Sequence, residues 1–134
     1  MQSYFENSFL TLSYDVEARL GKAQWRGRLR GAELREAYLL CLEMINRFSL
    51  ARWLADDRLM GPIEQADLEW SLEVYVPRIT ASPLLRMARL PSHSEENLKA
   101  IDSMIDKGHG YDLQLVLRDF ASEAEAMDWL MKPL

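Results

Sequence analysis

The alternation of short apolar runs with amphipathic helical patterns after residue 31 constrains the fold most. Residues 32–48 carry apolar side chains at three- and four-residue spacing, which is typical of a helix with a buried face. Residues 51–55 follow almost at once and are apolar apart from Arg52, as expected for a short buried strand. Because strands that alternate with helices are usually joined by right-handed crossovers, the sequence predicts an α/β domain with a mostly parallel sheet.

Two strands are predicted before this alternation and two strand–helix pairs after the second helix. Residues 8–14 alternate in polarity, and residues 18–25 are predicted to complete a hairpin with them. The later strands are predicted at residues 84–90 and 112–118. The order is therefore β-β-α-β-α-β-α-β-α: a single domain over residues 1–134 with a five-stranded mixed sheet and four helices.

Local signals predict where the later helices begin and end. Gly61-Pro62 is predicted to begin the second helix, and Pro77 to kink or end it. The patterns Ser92-His-Ser-Glu95 and Ser122-Glu-Ala-Glu125 are capping boxes that begin the third and fourth helices. The third helix is expected to run to about residue 107 and to end through left-handed glycine at 108–110.

Composition narrows the class of protein. The 134 residues are 49% hydrophobic and 28% charged, as in a soluble globular protein, and the net charge of −5 disfavours nucleic acid as the main partner. The single cysteine, Cys41, lies in an apolar run and is predicted to be a buried structural thiol. With no secretory leader pattern and no apolar run of membrane-spanning length, we expect a cytoplasmic protein.

The acidic residues after the third strand form the first candidate site. Asp56 and Asp57 are predicted to lie in a turn between that strand and a helix, which is where α/β proteins often bind ligands. Paired carboxylates can bind Mg²⁺ or share a proton. Neighbouring side chains on extended backbone point in opposite directions, however. The alternative is that one Asp caps the helix or pairs with Arg58 while the other faces solvent.

A basic stretch before the first helix is the second candidate site. Arg26, Arg28 and Arg30 alternate with small or apolar residues, and arginines beside a helix N-terminus favour an anion. The alternative is a solvated strand end whose charges balance nearby acids. No Cys/His cluster has metal-ligand spacing, and no nucleophile, phosphate-loop or dinucleotide motif appears. We therefore predict no catalytic residue, metal or cofactor, and a protein that is not an enzyme.

Several stretches together resemble the STAS and SpoIIAA-like fold, and more closely the small bacterial proteins of the STAS/SEC14-like type. The resemblance is carried by Phe9-Leu-Thr-Leu-Ser-Tyr-Asp15, Trp25-Arg-Gly27, Leu54-Ala-Asp-Asp-Arg58, residues 66–78 with Trp70, and Phe120-(x)5-Ala126-(x)2-Trp129-Leu130. It spans nearly the whole chain. Regulatory STAS domains carry a phosphorylatable serine or threonine after a central strand, whereas the matching residues here, 56–61, have no hydroxyl.

Three functions follow as hypotheses. The first is a non-enzymatic protein-interaction or regulatory module, expected to be a homodimer because the apolar stripe on helix 32–48 is wide. The second is a carrier of a small apolar ligand or lipid, with a pocket lined by Trp70, Tyr75 and methionines. The third is a Mg²⁺-dependent enzyme or receiver-like domain that uses Asp56 and Asp57. The residues expected to bind a ligand or partner are Asp56, Asp57, Arg58, Met60 and Trp70.

Overall fold

The structure, a computed structural model, describes residues 1–111 and 114–134. Its strands are β1 (Gln2–Glu6), β2 (Leu10–Asp15), β3 (Leu20–Gly27), β4 (Arg52–Met60), β5 (Arg86–Leu90) and β6 (Val116–Asp119). The helices are α1 (Ala32–Arg47), α2 (residues 65–80), α3 (Glu95–His109) and α4 (Glu123–Leu130). The six strands form one sheet in the order β1-β2-β3-β4-β5-β6.

The sheet is mixed, as predicted, but it has one strand more than the sequence analysis assigned. β1, β2 and β3 pair antiparallel, and β3 through β6 pair parallel. The additional strand, β1, lies at the edge of the sheet and is only half-buried at best. Its residues, Gln-Ser-Tyr-Phe-Glu, contain no apolar run, so the periodicity gave no signal for it.

The two faces of the sheet are covered unequally. One face packs against α1, α2 and α3 around a core that includes Leu12, Ile45 and Trp53. The other face is covered by α4, a helix of eight residues, through Leu54, Leu90 and a few neighbouring apolar side chains. Part of this second face is therefore left without a helix over it. No helix in the described residues is long and apolar enough to cross a membrane.

The predicted turn after residue 55 is wrong, because β4 continues to Met60. β3 runs alongside in parallel to Gly27, and the two strands stay paired as far as Gly27 and Met60. The amide of Gly61 then donates a 2.7 Å hydrogen bond to the carbonyl of Gly27. This pairing keeps the chain extended through the acidic residues and delays α2 to Gln65, four residues after the predicted start.

Helix α2 passes through Pro77 instead of ending there. It consists of Gln65–Trp70, a π-helical turn Ser71–Tyr75, and Val76–Thr80. The amide of Val76 donates to the carbonyl of Ser71, five residues back. The wider turn places Pro77 in the first turn of the next α-helical segment, where a missing N–H and a fixed φ are tolerated.

The start of α4 is as predicted from the sequence, whereas both ends of α3 differ from the prediction. Ser122 caps α4 and accepts a hydrogen bond from the amide of Glu125, as predicted. For α3 the cap is Ser94 and not Ser92, because Ser92 instead donates a 2.8 Å hydrogen bond to the carbonyl of Met60. The expected left-handed glycine is also wrong, since α3 continues to His109 and Gly110 has a φ of −74°.

Two strands begin later than predicted. The strand predicted at residues 84–90 begins at Arg86, and the one predicted at 112–118 is found at Val116–Asp119. Residues 112 and 113 lie outside the described part of the chain. Leu115 and Leu117 are half-buried, in agreement with the predicted inward alternation of that strand.

Candidate functional site

The two adjacent aspartates of β4 lie on opposite faces of the sheet. Asp56 points towards α4 and forms a two-pronged ion pair with Arg58, with both nitrogen–oxygen distances 2.9 Å. Asp57 points the other way and lines a cavity beneath α2 and α3. The pairing of one aspartate with Arg58 is thus as predicted, but the prediction that the other faces solvent is wrong, since Asp57 is only 5% exposed. The two carboxylates do not converge on a single ion or substrate.

The ionisation of the two aspartates follows from these surroundings. The Arg58 guanidinium donates to Asp56 and holds the pKa of that carboxyl below its usual value, in spite of its burial. Burial among apolar and aromatic groups raises the pKa of Asp57 to about 7, and the positive charge of Arg89 offsets only part of this rise. Asp57 therefore changes its charge near neutral pH, and Asp56 stays ionised.

The cavity that Asp57 lines has a volume of about 110 Å³ and a largely aromatic and aliphatic wall. Tyr38 and Tyr75 stack with their ring centres 4.1 Å apart, and Trp25 meets Tyr38 edge to face at 5.2 Å. The expected pocket residues are therefore found in part: Tyr75 and two methionines, Met87 and Met104, line the cavity. Trp70 does not line it, and instead packs under the Arg35 guanidinium at 5.6 Å.

Arg89 is the residue of this site that the sequence analysis missed. It lies on β5, is 5% exposed and lines the same cavity. Its guanidinium forms ion pairs with Asp119 at 2.7 Å and Asp102 at 3.1 Å, while its Nη1 atom is buried without a hydrogen-bond partner. Arg86 and Arg89 are three residues apart, which places them on opposite faces of a strand and predicts only that this strand is not fully buried. Nothing in that spacing marks Arg89 as part of a site.

The three arginines before α1 do not converge on an anion. Arg26 donates to the carbonyl of Asn7 at 3.0 Å and to the hydroxyl of Thr11 at 2.9 Å, which fixes it to the first hairpin. Arg30 pairs with Glu64 at 3.4 Å, and Arg28 is exposed. The N-terminus of α1 is occupied from within the chain instead, because the amide of Gly31 donates a 2.8 Å hydrogen bond to the Asp67 carboxylate.

The remaining predicted residues are mostly structural. Met60 is buried in the main core, and Trp25 and Trp53 are buried as expected, while Trp70 and Trp129 are half-buried. Cys41 is fully buried, as predicted, and burial raises the pKa of its thiol well above the usual range. The histidines, His93 and His109, are exposed. Within residues 1–111 and 114–134, no three potential metal ligands lie together.

Comparison with known proteins identifies the fold. No protein-family model matches the chain, and no curated protein matches it. A chain in the crystal structure of diguanylate cyclase SiaD in complex with its activator SiaC, from Pseudomonas aeruginosa, is 10% identical over 90% of this chain and all of its own length, with a TM-score of 0.46. An uncharacterised protein of the DUF3478 family from Shewanella loihica PV-4, described as having a SpoIIAA-like fold, is 13% identical. Its TM-score is 0.56, over 97% of this chain and 98% of its own length. The fold of this protein is therefore SpoIIAA-like, as its sequence indicates.

Proposed function

We propose that this protein is a non-enzymatic regulatory module that binds a protein partner through the uncovered part of its sheet. We call this part the open face and define it by Gln24, Arg26, Arg58 and Leu59, together with His93 beside them. The observation that carries the proposal is Leu59, which is 62% exposed although it is paired with β3 within the sheet; the pairing of β4 with β5 ends before it, at Asp56 and Leu90.

A register shift between β3 and β4 accounts for the exposure of Leu59. Gln24 pairs with Asp56, but Arg26 pairs with Leu59, so β4 gains one residue over β3 at this point. The extra residue interrupts the alternation of side chains and turns Leu59 to the same side as Arg26. Bulges re-aim side chains in this way at sites that contact other molecules.

The surroundings of Leu59 resemble the centre of a protein interface. The polar side chains beside it are already held: Arg58 by Asp56, and Arg26 by Asn7 and Thr11. A partner that covers Leu59 would therefore order few side chains on this protein, which lowers the entropic cost of binding. An apolar centre surrounded by a polar rim is the general anatomy of a protein–protein interface.

The same geometry favours a binding function over catalysis. Asp56 is neutralised by Arg58, and Asp57 faces the cavity on the other side of the sheet. A metal-dependent or receiver-like reaction would need the two carboxylates on one side.

A photo-crosslinking experiment in the native cell tests the proposal. A benzophenone amino acid is placed at Leu59 and, as the control, at Val16, which is 53% exposed in the turn between β2 and β3. We expect one discrete crosslinked protein from position 59 and none from position 16, with the crosslink lost when Arg58→Glu is added. Equal crosslinking from both positions, or none from either, contradicts the proposal.

Dimerisation through α1 no longer follows from its wide apolar stripe. Seven of the apolar residues of α1 are buried within the chain, and only Leu39 is exposed among its large apolar side chains. A homodimer stays a prediction, and a crosslink from position 59 to a second copy of the chain would support it. Size-exclusion chromatography with light scattering gives the oligomeric state directly.

A further inference from the structure

The cavity beneath α2 and α3 contains two buried polar groups that do not satisfy each other. Asp57 and Arg89 are each 5% exposed and both line it. The Nη1 atom of Arg89 is buried without a hydrogen-bond acceptor. Burial and nearby charges set the pKa of the Asp57 carboxyl, and no hydrogen bond is among the causes of its shift. Leaving a buried donor or acceptor unpaired is costly, so such groups in a folded protein call for an explanation.

The two groups are close enough to contact one small molecule. Arg89 pairs in register with Ala55, and Asp57 lies two residues further along β4 on the same side. With strands about 4.8 Å apart and a rise of about 3.3 Å per residue, the two backbone positions are roughly 8 Å apart, and their side chains lie on one face of the sheet. A single small polar group between the side chains can therefore reach both.

The charges around the cavity select an uncharged group. Arg89 already faces two carboxylates, Asp119 and Asp102, so the cation needs no further anion. Above pH 7, where Asp57 is ionised, an anionic ligand would be repelled by Asp57 and a cationic ligand by Arg89. A hydroxyl is the smallest group that both donates one hydrogen bond and accepts others, which is what these two side chains lack.

The rest of the wall requires an apolar body of limited size. The side chains around the cavity are mainly aromatic, aliphatic or sulfur-containing: Trp25, Trp53, Tyr38, Tyr75, Met87 and Met104. Its volume of about 110 Å³ is smaller than the roughly 150 Å³ of an engineered cavity that accommodates benzene. The wall includes the exposed residue His109, so the cavity reaches the surface near the end of α3.

We propose that this cavity is a binding site for a small uncharged alcohol. The hydroxyl of the ligand donates to the carboxylate of Asp57 and accepts from Nη1 of Arg89, and its short alkyl group packs among the aromatic rings. The site lies on the side of β4 opposite to the open face, so this inference is independent of the proposed protein partner.

Methyl NMR with three matched probes tests the proposal. The protein is labelled with ¹³C at the methionine methyls, and isobutanol, isobutyrate and isobutylamine are titrated separately at about pH 8, where Asp57 is ionised. We expect isobutanol to shift the Met87 and Met104 signals in a saturable manner while the exposed Met1 and Met131 serve as internal controls. The two charged probes should bind at least about tenfold more weakly.

Two variants identify the polar contact. Asp57→Asn should weaken isobutanol binding roughly fivefold to tenfold, because it removes the charge from the hydrogen-bond acceptor. Asp67→Asn, a change at a buried aspartate that does not line the cavity, should leave the affinity unchanged. Xenon, which enters apolar cavities, should shift the same two methionines in all three proteins and so report that the cavity persists. The proposal is overturned if isobutanol gives no saturable shift, if a charged probe binds more tightly, or if Asp57→Asn binds isobutanol as the parent does.

Discussion

The amide of Gly31 donates a 2.8 Å hydrogen bond to the carboxylate of Asp67, and so a side chain from α2 caps the start of α1. Gly31 has a φ of +59°, a backbone conformation that suits glycine, and Asp67 is only 2% exposed. Arg35 lies 3.4 Å from the same carboxylate. The anion expected at this helix N-terminus is thus supplied by the chain, and the contact joins two helices that cover the same face of the sheet.

Removal of this cap should destabilise the protein. Asp67→Ala leaves the Gly31 amide without its acceptor and the Arg35 guanidinium without its ion-pair partner, and we expect the free energy of unfolding to fall by about 2–3 kcal/mol. Asp67→Asn keeps an oxygen acceptor and should cost about 1 kcal/mol. Urea unfolding of the three proteins measures both values. A loss below about 0.5 kcal/mol for the alanine variant would show that the contact contributes little.

Asp57 should make the protein less stable as the pH rises towards 7. Its pKa is about 7 in the folded protein and 3.8 in the unfolded chain, so between these pH values the folded state holds a proton that the unfolded state has lost. The free energy of unfolding should therefore decrease from about pH 4 to pH 7, by up to roughly 4 kcal/mol from this group. Above pH 7 Asp57 is ionised in both states, so the decrease in unfolding free energy is then complete.

The variant Asp57→Asn isolates that effect from the other titrating groups. The asparagine cannot ionise, so the difference in unfolding free energy between variant and parent should grow in favour of the variant from pH 4 to pH 8. Asp56 and Asp119 are the nearby acids that oppose the ionisation of Asp57, and both remain in the variant. Parallel stability profiles for the two proteins would contradict the burial of an uncompensated carboxyl.

A methyl group at Gly21 should be poorly tolerated. A Cβ at this position would lie 2.5 Å from Cζ3 of Trp53 and 2.8 Å from Cδ1 of Leu50, both buried in the core. We expect Gly21→Ala to destabilise the protein by about 1–3 kcal/mol through overpacking. The matched control is Gly108→Ala in α3. Its Cβ would lie 3.6 Å from Cγ2 of Thr80 at the end of α2, which is an ordinary van der Waals distance. That change should be neutral or stabilising by up to about 1 kcal/mol, so thermal unfolding should separate the two variants clearly.

Arg52 should be needed to hold α4 against the sheet. Its Nε donates a 2.6 Å hydrogen bond to the carbonyl of Leu130 at the end of α4, and its Nη2 donates to the carbonyl of Lys132 at 3.3 Å. A further hydrogen bond links Nη1 to the carbonyl of Ala18. A lysine cannot reproduce this three-way contact, so Arg52→Lys should destabilise the protein by about 2–3 kcal/mol.

Hydrogen exchange locates the effect of that substitution. The amides of α4 should exchange faster in Arg52→Lys than in the parent, with a smaller change in α1. Arg47→Lys is the control, since Arg47 is exposed in the last turn of α1 and its positive charge is kept. Uniform acceleration across the whole chain would mean that Arg52 supports global stability and not the attachment of α4.

How much of this fold could be predicted depended on whether the signal was local. The amphipathic pattern of α1 and the Ser122 cap of α4 were correctly predicted, because both are set by spacing within a few residues. The edge strand β1 was missed because its half-exposed residues show no apolar pattern. The proline in α2 was misjudged because the π-helical turn that accommodates it leaves no recognisable signal in the sequence.

The candidate site could likewise be predicted only where its features depend on neighbouring residues. The opposite directions of Asp56 and Asp57 could be inferred from the sequence, since alternation is a property of extended backbone, and so could the pairing of Arg58 with one of them. The continuation of the extended segment to Met60 could not, because it depends on the main-chain partners offered by β3. The same is true of the aromatic cavity, which Asp57 and Arg89 line from two different strands. Burial and charge environment arise from contacts distant in sequence, and no local pattern encodes them.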